Sequence, residues 1–413
     1  MKKLLATILA LVMALGLCSV SWAEGEIEVS DAAQLKQTIS DASSKIVIKL
    51  TDNVTMTGEP LDISAGKNVA IDLNGKTLKI SGYTGNSTEY RQVKVDGTLT
   101  IKDSVGTGVI CSDYTGSSGV LVGVNNGGKL YMQGGTITTE EFAKAGNAIK
   151  VASGAFAEMT GGTVKCGAKR GNRAVNVNGQ FVMTGGSVIA EKGDGSETYI
   201  IAIEGRNSAS VIDVSGSSIV AGPEAVSARS SNVSITGGDF TGAMTVKAKS
   251  ISGGTFSNSV DLTYLADVLK YEVYAGGKYS YFTNINDAVA AATEDDIVED
   301  FRSPRGDGED GYTVRLEDNN AVVARIHSFA TSVSLPTLSK SGYTFKGWKD
   351  AEGKTYTSQY NIPTASNGEI IPPVSDAYVL TAVWSSNSYY YYAPTTTDTK
   401  TGSPKTFDAG VGI

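Results

Sequence analysis

One histidine, His327, is all that 413 residues contain. Residues 24–264 have none, so no Ser-His-Asp or Cys-His couple can form there. Cysteine is almost as scarce, with three residues, Cys18, Cys111 and Cys166. Proline stops at nine and charged residues at 19%, and acids outnumber bases 43 to 35. An acidic chain without Lys/Arg stripes cannot neutralise a phosphate backbone, which excludes nucleic acid as a partner. Past residue 23 no apolar run is long enough to span a bilayer. What abounds is glycine, 48 residues of it, in a composition that points to turn-rich all-β structure rather than disorder.

Residues 1–23 have the layout of a secretory signal peptide. Lys2 and Lys3 make a basic start, Leu4 to Leu17 an apolar run, and Ser21-Trp22-Ala23 a small-x-small cleavage signal. The apolar run is too short for a membrane span. Leu17 precedes Cys18 where a lipid-attachment site requires a small residue, which argues against lipidation. Cleavage removes two lysines and no acid, taking the formal charge from −8 to −10. The expected address is extracellular, either secreted or associated with the cell surface.

From Glu24 onward one phrase recurs: "GAFAEMTGGTV" at 154–164, "GQFVMTGGSV" at 179–188, "NVSITGGDF" at 232–240 and "AKSISGGTF" at 248–256. Aligned two residues before the Gly-Gly, the copies form the column Ile80, Ile101, Met132, Met159, Met183, Val214, Ile235, Ile251. Two positions earlier stand Leu78, Leu99, Leu130, Ala157, Phe181, Ile212, Val233 and Lys249. Between them lie mostly polar residues: Lys79, Thr100, Tyr131, Glu158, Val182, Asp213, Ser234 and Ser250. A period of two is a strand with one buried face. Five residues on comes another apolar series, Ile137, Val164, Val188, Ile219, Phe240, Phe256. A third short strand precedes most copies, as in Ile149/Val151 and Val175/Val177.

A unit of three short strands recurring about every 24 residues cannot bury its own apolar face, so it must stack on its neighbours. The expected fold is all-β: a right-handed parallel β-helix of about eight rungs over residues 24–264. A propeller needs longer blades of four strands. The Gly-Gly is then a corner, because glycine reaches the φ > 0 conformations that turns demand. A phosphate-cradling loop would need a following helix and a lysine, and each Gly-Gly here runs into a strand. The register separates Cys111 and Cys166 by two rungs, roughly 9–10 Å, beyond the reach of a disulfide. Both are expected as free thiols.

Ser30-Asp31 followed by Ala32, Leu35, Ile39 and Ala42 predicts an amphipathic helix capping the N-terminal end of the stack. A similar pattern at 279–298, with Asn284 as N-cap, suggests a helix in the connector 265–311. It either closes the other end or is the remnant of a second cap. Residues 386–413 are Tyr/Thr-rich, aperiodic and expected to be disordered. No apolar span follows "SPKT", which leaves release or a longer parent chain as alternatives.

Residues 312–385 change style. The run Gly342-Tyr343-Thr344-Phe345-Lys346-Gly347-Trp348, with Pro336 before it and Leu380-Thr381-Ala382-Val383-Trp384 closing it, resembles the Listeria–Bacteroides repeat. That resemblance implies a small β-grasp-like module, a surface location and no enzymatic activity. "NIPTASNGEIIPP" departs from the pattern in being longer and richer in proline. Trp348 and Trp384 are expected to pack in its core. The upstream region, through "IDLNGKTLKISG" and "ISGGTFS", resembles the adhesin-type β-helix proteins of Gram-positive gut bacteria, a likeness carried by structural motifs.

Two function classes remain. The first is a non-enzymatic, adhesin-like scaffold presenting a β-helix face to host or bacterial surface glycans or proteins. The alternative is a carbohydrate-active β-helix, a polysaccharide lyase or glycoside hydrolase with a diverged site. Such enzymes cluster carboxylates on one face, yet the outward column holds two acids, Glu158 and Asp213, two rungs apart. Binding candidates are the basic turn with Lys169, Arg170 and Arg173, suited to an acidic polymer, and the tripeptide Arg305-Gly306-Asp307, whose bland reading is a linker loop. No spacing calls for a cofactor or a metal, and a monomer is expected.

Overall fold

The structure, a computed structural model, describes residues 25–82, 91–114, 119–140, 142, 146–167, 171–192, 199–302 and 311–387. Residues 1–24, where the sequence predicts a signal peptide, and 388–413 lie outside them. The chain is mostly strand, with two α-helices among the described residues. Its first part is built from long parallel ladders consistent with a parallel β-helix.

Three ladders account for it. The first runs through Ile27–Val29, Lys45–Leu50, Asn68–Asp72, Thr98–Lys102, Lys129–Met132, Phe156–Met159, Gln180–Met183 and Val211–Val214. The second takes Val54–Thr57, Thr77–Ser81, Val109–Ser112, Thr136–Thr138, Thr163–Cys166 and Ser187–Ala190. The third takes Leu61–Ile63, Arg91–Val95, Gly119–Val124, Gly146–Val151, Arg173–Val177 and Ile201–Gly205. The long strand Asn232–Val246 passes through all three.

Alternation puts one set of side chains inside each ladder. Met132, Met159, Met183, Val214 and Ile235 are Cα partners in sequence, each at most 1% exposed. At Gly134-Gly135, Gly161-Gly162 and Gly185-Gly186 the second glycine has φ of +75°, +79° and +84°. These are the corners between the first and second ladders, and they need a residue without a Cβ.

Two registers differ from expectation. Ile80 does not stand beside Ile101: it pairs with Met56 and Ser112 in the second ladder, and Ile71 takes the place beside Ile101. The Asn74-Gly75 turn, with φ of 49° and 74°, carries the chain round a corner before the copy-like "ISG" begins. Ile219 is 46% exposed, and Val220 is the inward partner of Val188 and Phe240. The turn before it is one residue longer than its predecessor and is closed by Ser218 Oγ donating to the Ser215 carbonyl at 2.6 Å.

The N-terminal helix Ala32–Asp41 starts at Asp31, whose carboxylate accepts from the Gln34 amide at 2.9 Å. Leu35 and Ile39 bury in the same core as Val29 and Leu50, covering the first rung. At the other end Thr255 and Phe256 pair antiparallel with Ser280 and Tyr279. Tyr281 extends the core there, its ring 5.9 Å from that of Phe256. The expected second helix, Ile285–Ala291, is present and capped by Asn284. Its Ile285, Ala288 and Val289 face a separate core with Val314, Ile326 and Trp348. The strands Tyr271–Ala275 and Ile297–Asp300 join that downstream sheet through Ala321–Ser328. Trp348 is fully buried and donates to the Pro336 carbonyl at 2.7 Å, and Trp384 donates to Asp318 at 3.0 Å. No helix among the described residues is long and apolar enough to cross a membrane.

Candidate functional site

Side chains opposite the methionine column face outward from the first ladder. In register they are Thr100, Tyr131, Glu158, Val182, Asp213 and Ser234. Beside them runs Thr98, Lys129, Phe156, Gln180, Val211 and Asn232. Tyr131 and Phe156 come together across adjacent strands, their ring centroids 5.8 Å apart at 55°. Both are half-buried, which leaves ring surface open to solvent. Phe156 escaped attention in the sequence, though its place one before Ala157 and two before Glu158 in the alternation marks it as outward.

The two acids of the face share an environment. Burial pushes the Glu158 carboxyl above its ordinary range, and burial does the same to Asp213. Among the described residues neither has a hydrogen-bond or ion-pair partner. Val182 separates them, so they stand two strand steps apart, roughly 10 Å. Burial, then the negative charge of Glu158, raises the Tyr131 phenol as well. Asp213 also lines a shallow cavity of about 260 Å³ with Asn232, Ser234, Lys247 and Lys249. Lys249 is engaged by Asp267 at 2.6 Å.

The residues singled out in the sequence fare differently. Lys169, Arg170, Arg305, Gly306 and Asp307 lie outside the described residues. Arg173 faces outward from the third ladder, but its guanidinium is engaged within the protein. It donates through Nε and Nη2 to Glu204 and through Nη1 to the Gly171 carbonyl at 2.6 Å. Arg206 adds a contact to Glu204 at 2.9 Å, and Asn176 links Glu204 to Asn147. Such a network neutralises a carboxylate that is only 8% exposed.

A second cavity, about 520 Å³, opens on the downstream sheet over Glu272, Tyr274, Tyr279, Glu299 and His327. His327 is held by Thr313 at 3.2 Å and by the edge of Phe329. Among the described residues no group of three or more His, Cys, Asp or Glu side chains could hold a metal ion.

Compared with known protein families, with curated proteins and with solved structures, the chain matches none.

Proposed function

We propose that the chain is a non-enzymatic, adhesin-like scaffold, secreted or carried at the cell surface, that presents a β-helix face to glycans or proteins. In this reading the ladders wind as a right-handed parallel β-helix of about eight rungs, and the downstream sheet is a β-grasp-like spacer. The supporting observation is the outward face of the first ladder. It carries an aromatic pair, Tyr131 and Phe156, beside two carboxyls that find no partner among the described residues. Stability alone disfavours unpartnered, partly desolvated acids, so such groups point to an external ligand. A glycan and protein array probed with the purified chain tests the proposal. Specific capture of one ligand class supports it, and failure of the folded protein to bind anything overturns it.

The same pair of acids favours a second reading, a carbohydrate-active β-helix. Raised carboxyls on one face are what a general acid requires. Their spacing of roughly 10 Å slightly exceeds the 6.5–9.5 Å of inverting glycosidases. A depolymerisation assay decides: turnover abolished by Asp213→Asn would replace the scaffold with the enzyme.

A further inference from the structure

Building on the display reading, we infer that the outward face of the first ladder binds a neutral, hydroxyl-rich glycan whose chain runs along the stack axis. The ligand class follows from which groups are left unsatisfied. Tyr131 and Phe156, 5.8 Å apart, offer an apolar platform to the C–H face of a sugar ring. Glu158 and Asp213 are acceptors with no donor among the described residues, and sugar hydroxyls are O–H donors. Gln180 and Asn232, exposed in the neighbouring column, can donate to ring and hydroxyl oxygens.

The direction follows from register. Tyr131, Glu158, Val182 and Asp213 succeed one another in a single column. From Tyr131 to Asp213 is three strand steps, about 14 Å, a length of several sugar units. Aromatic contact comes at one end and the cavity over Asp213 at the other, so an extended chain laid along the column meets every group in turn.

Charge argues against the other polymers. A polyuronate would bring carboxylates against Glu158 and Asp213 in a chain of formal charge −8. An aminoglycan would meet Lys129 and Lys247 at the margins of the same face.

Affinity electrophoresis of the full chain through gels containing a neutral glucan, a mannan, a galactan, polygalacturonate or chitosan tests this. Retardation is expected in at least one neutral gel, weakened about tenfold or more in the Tyr131→Ala/Phe156→Ala double variant. Asp213→Asn should also weaken it, and its removal of a half-buried charge makes it the variant to read should the double variant fail to fold. Lys150→Ala, on the third ladder, serves as the control and should leave retardation unchanged. Retardation by polygalacturonate or chitosan alone overturns the inference while leaving the display reading in place. So does capture of a protein but no glycan on the array. Retention of full affinity in folded Asp213→Asn and double variants also overturns it.

Discussion

Met159 closes over Gly186. Its Cε methyl lies 2.7 Å from the point a Cβ on that glycine would occupy, and the Gly162 carbonyl is equally close. One rung back Met132 stands in the same relation to Gly162, at 2.8 Å. The buried column and the corners are therefore packed as one object, each thioether filling the space that the next corner leaves empty.

Gly186→Ala should be costly for two separable reasons. The backbone part, an L residue at φ +84°, is worth about 1–2 kcal/mol. The packing part comes on top, because a carbonyl and a methyl must both move. Gly66, at φ +85° with nothing within 4 Å, isolates the first part. Denaturant titration should show Gly66→Ala losing the backbone cost alone and Gly186→Ala clearly more; equal losses would refute the packing account.

Phe181 lies between Ala157 and Ile212 in the interior column and is 1% exposed. Phe181→Ala should destabilise the stack by about 3–5 kcal/mol through the cavity it leaves. The neighbouring Val182 faces outward, and Val182→Ala should stay within about 0.5 kcal/mol of wild type. Comparable losses at the two positions would mean that the alternation has been assigned to the wrong faces.

Cys111 and Cys166 are buried, and neither is in a disulfide among the described residues. Cys111 pairs with Lys79 and Cys166 with Ala190, on strands that Thr136–Thr138 keeps apart. Alkylation of the denatured, unreduced protein should label both, and mass spectrometry would expose a Cys111–Cys166 bridge as an unlabelled pair. In the native protein Cys166 should resist alkylation at pH 8, since burial, then the charge of Glu191, pushes its thiol up to about 12.

Acid should act on Asp72 and Asp213 with opposite signs. Burial works to raise Asp72, but the Ser104 and Asn74 amides and Lys102 outweigh it and hold the carboxyl below its usual value. Its stabilising contribution is present above the ordinary Asp range and is lost as pH falls through the lowered folded value. Asp213 is raised, so its ionised form costs stability at neutral pH, and the cost shrinks as pH falls through the folded value and is gone below the ordinary Asp value. Asp213→Asn should accordingly raise the melting temperature at pH 7, with a gain that shrinks on acidification. Asp72→Asn should lower it at pH 7, with a loss that shrinks at the lowest pH. A Asp213→Asn protein less stable than wild type at pH 7 would mean that the carboxylate has a partner in the fold.

The strand alternation, the Gly-Gly corners and both helix caps were legible in the amino acids alone, because each is decided within a few residues. Asp31 and Asn284 cap their helices through the amide three residues on, and the corner glycines answer to their own φ. The candidate face was half legible. Tyr131, Glu158 and Asp213 stood in the outward column, but the absence of partners for the two acids depends on everything around them.

Register across the corners was for the tertiary structure to decide. Parallel strands that pair in the three ladders lie 16 to 32 residues apart, so one added turn residue, as before Val220, moves a side chain from the inside of the wall to the outside. Arg173 shows the same limit: it read as a basic turn residue open to an anion until the fold brought Glu204 beside it, 31 positions away. Tyr131 and Phe156 meet only because their strands are neighbours in the ladder. Alternation and turn chemistry are local and survive in any context, whereas pairing between rungs is set by the summed lengths of the corners between them.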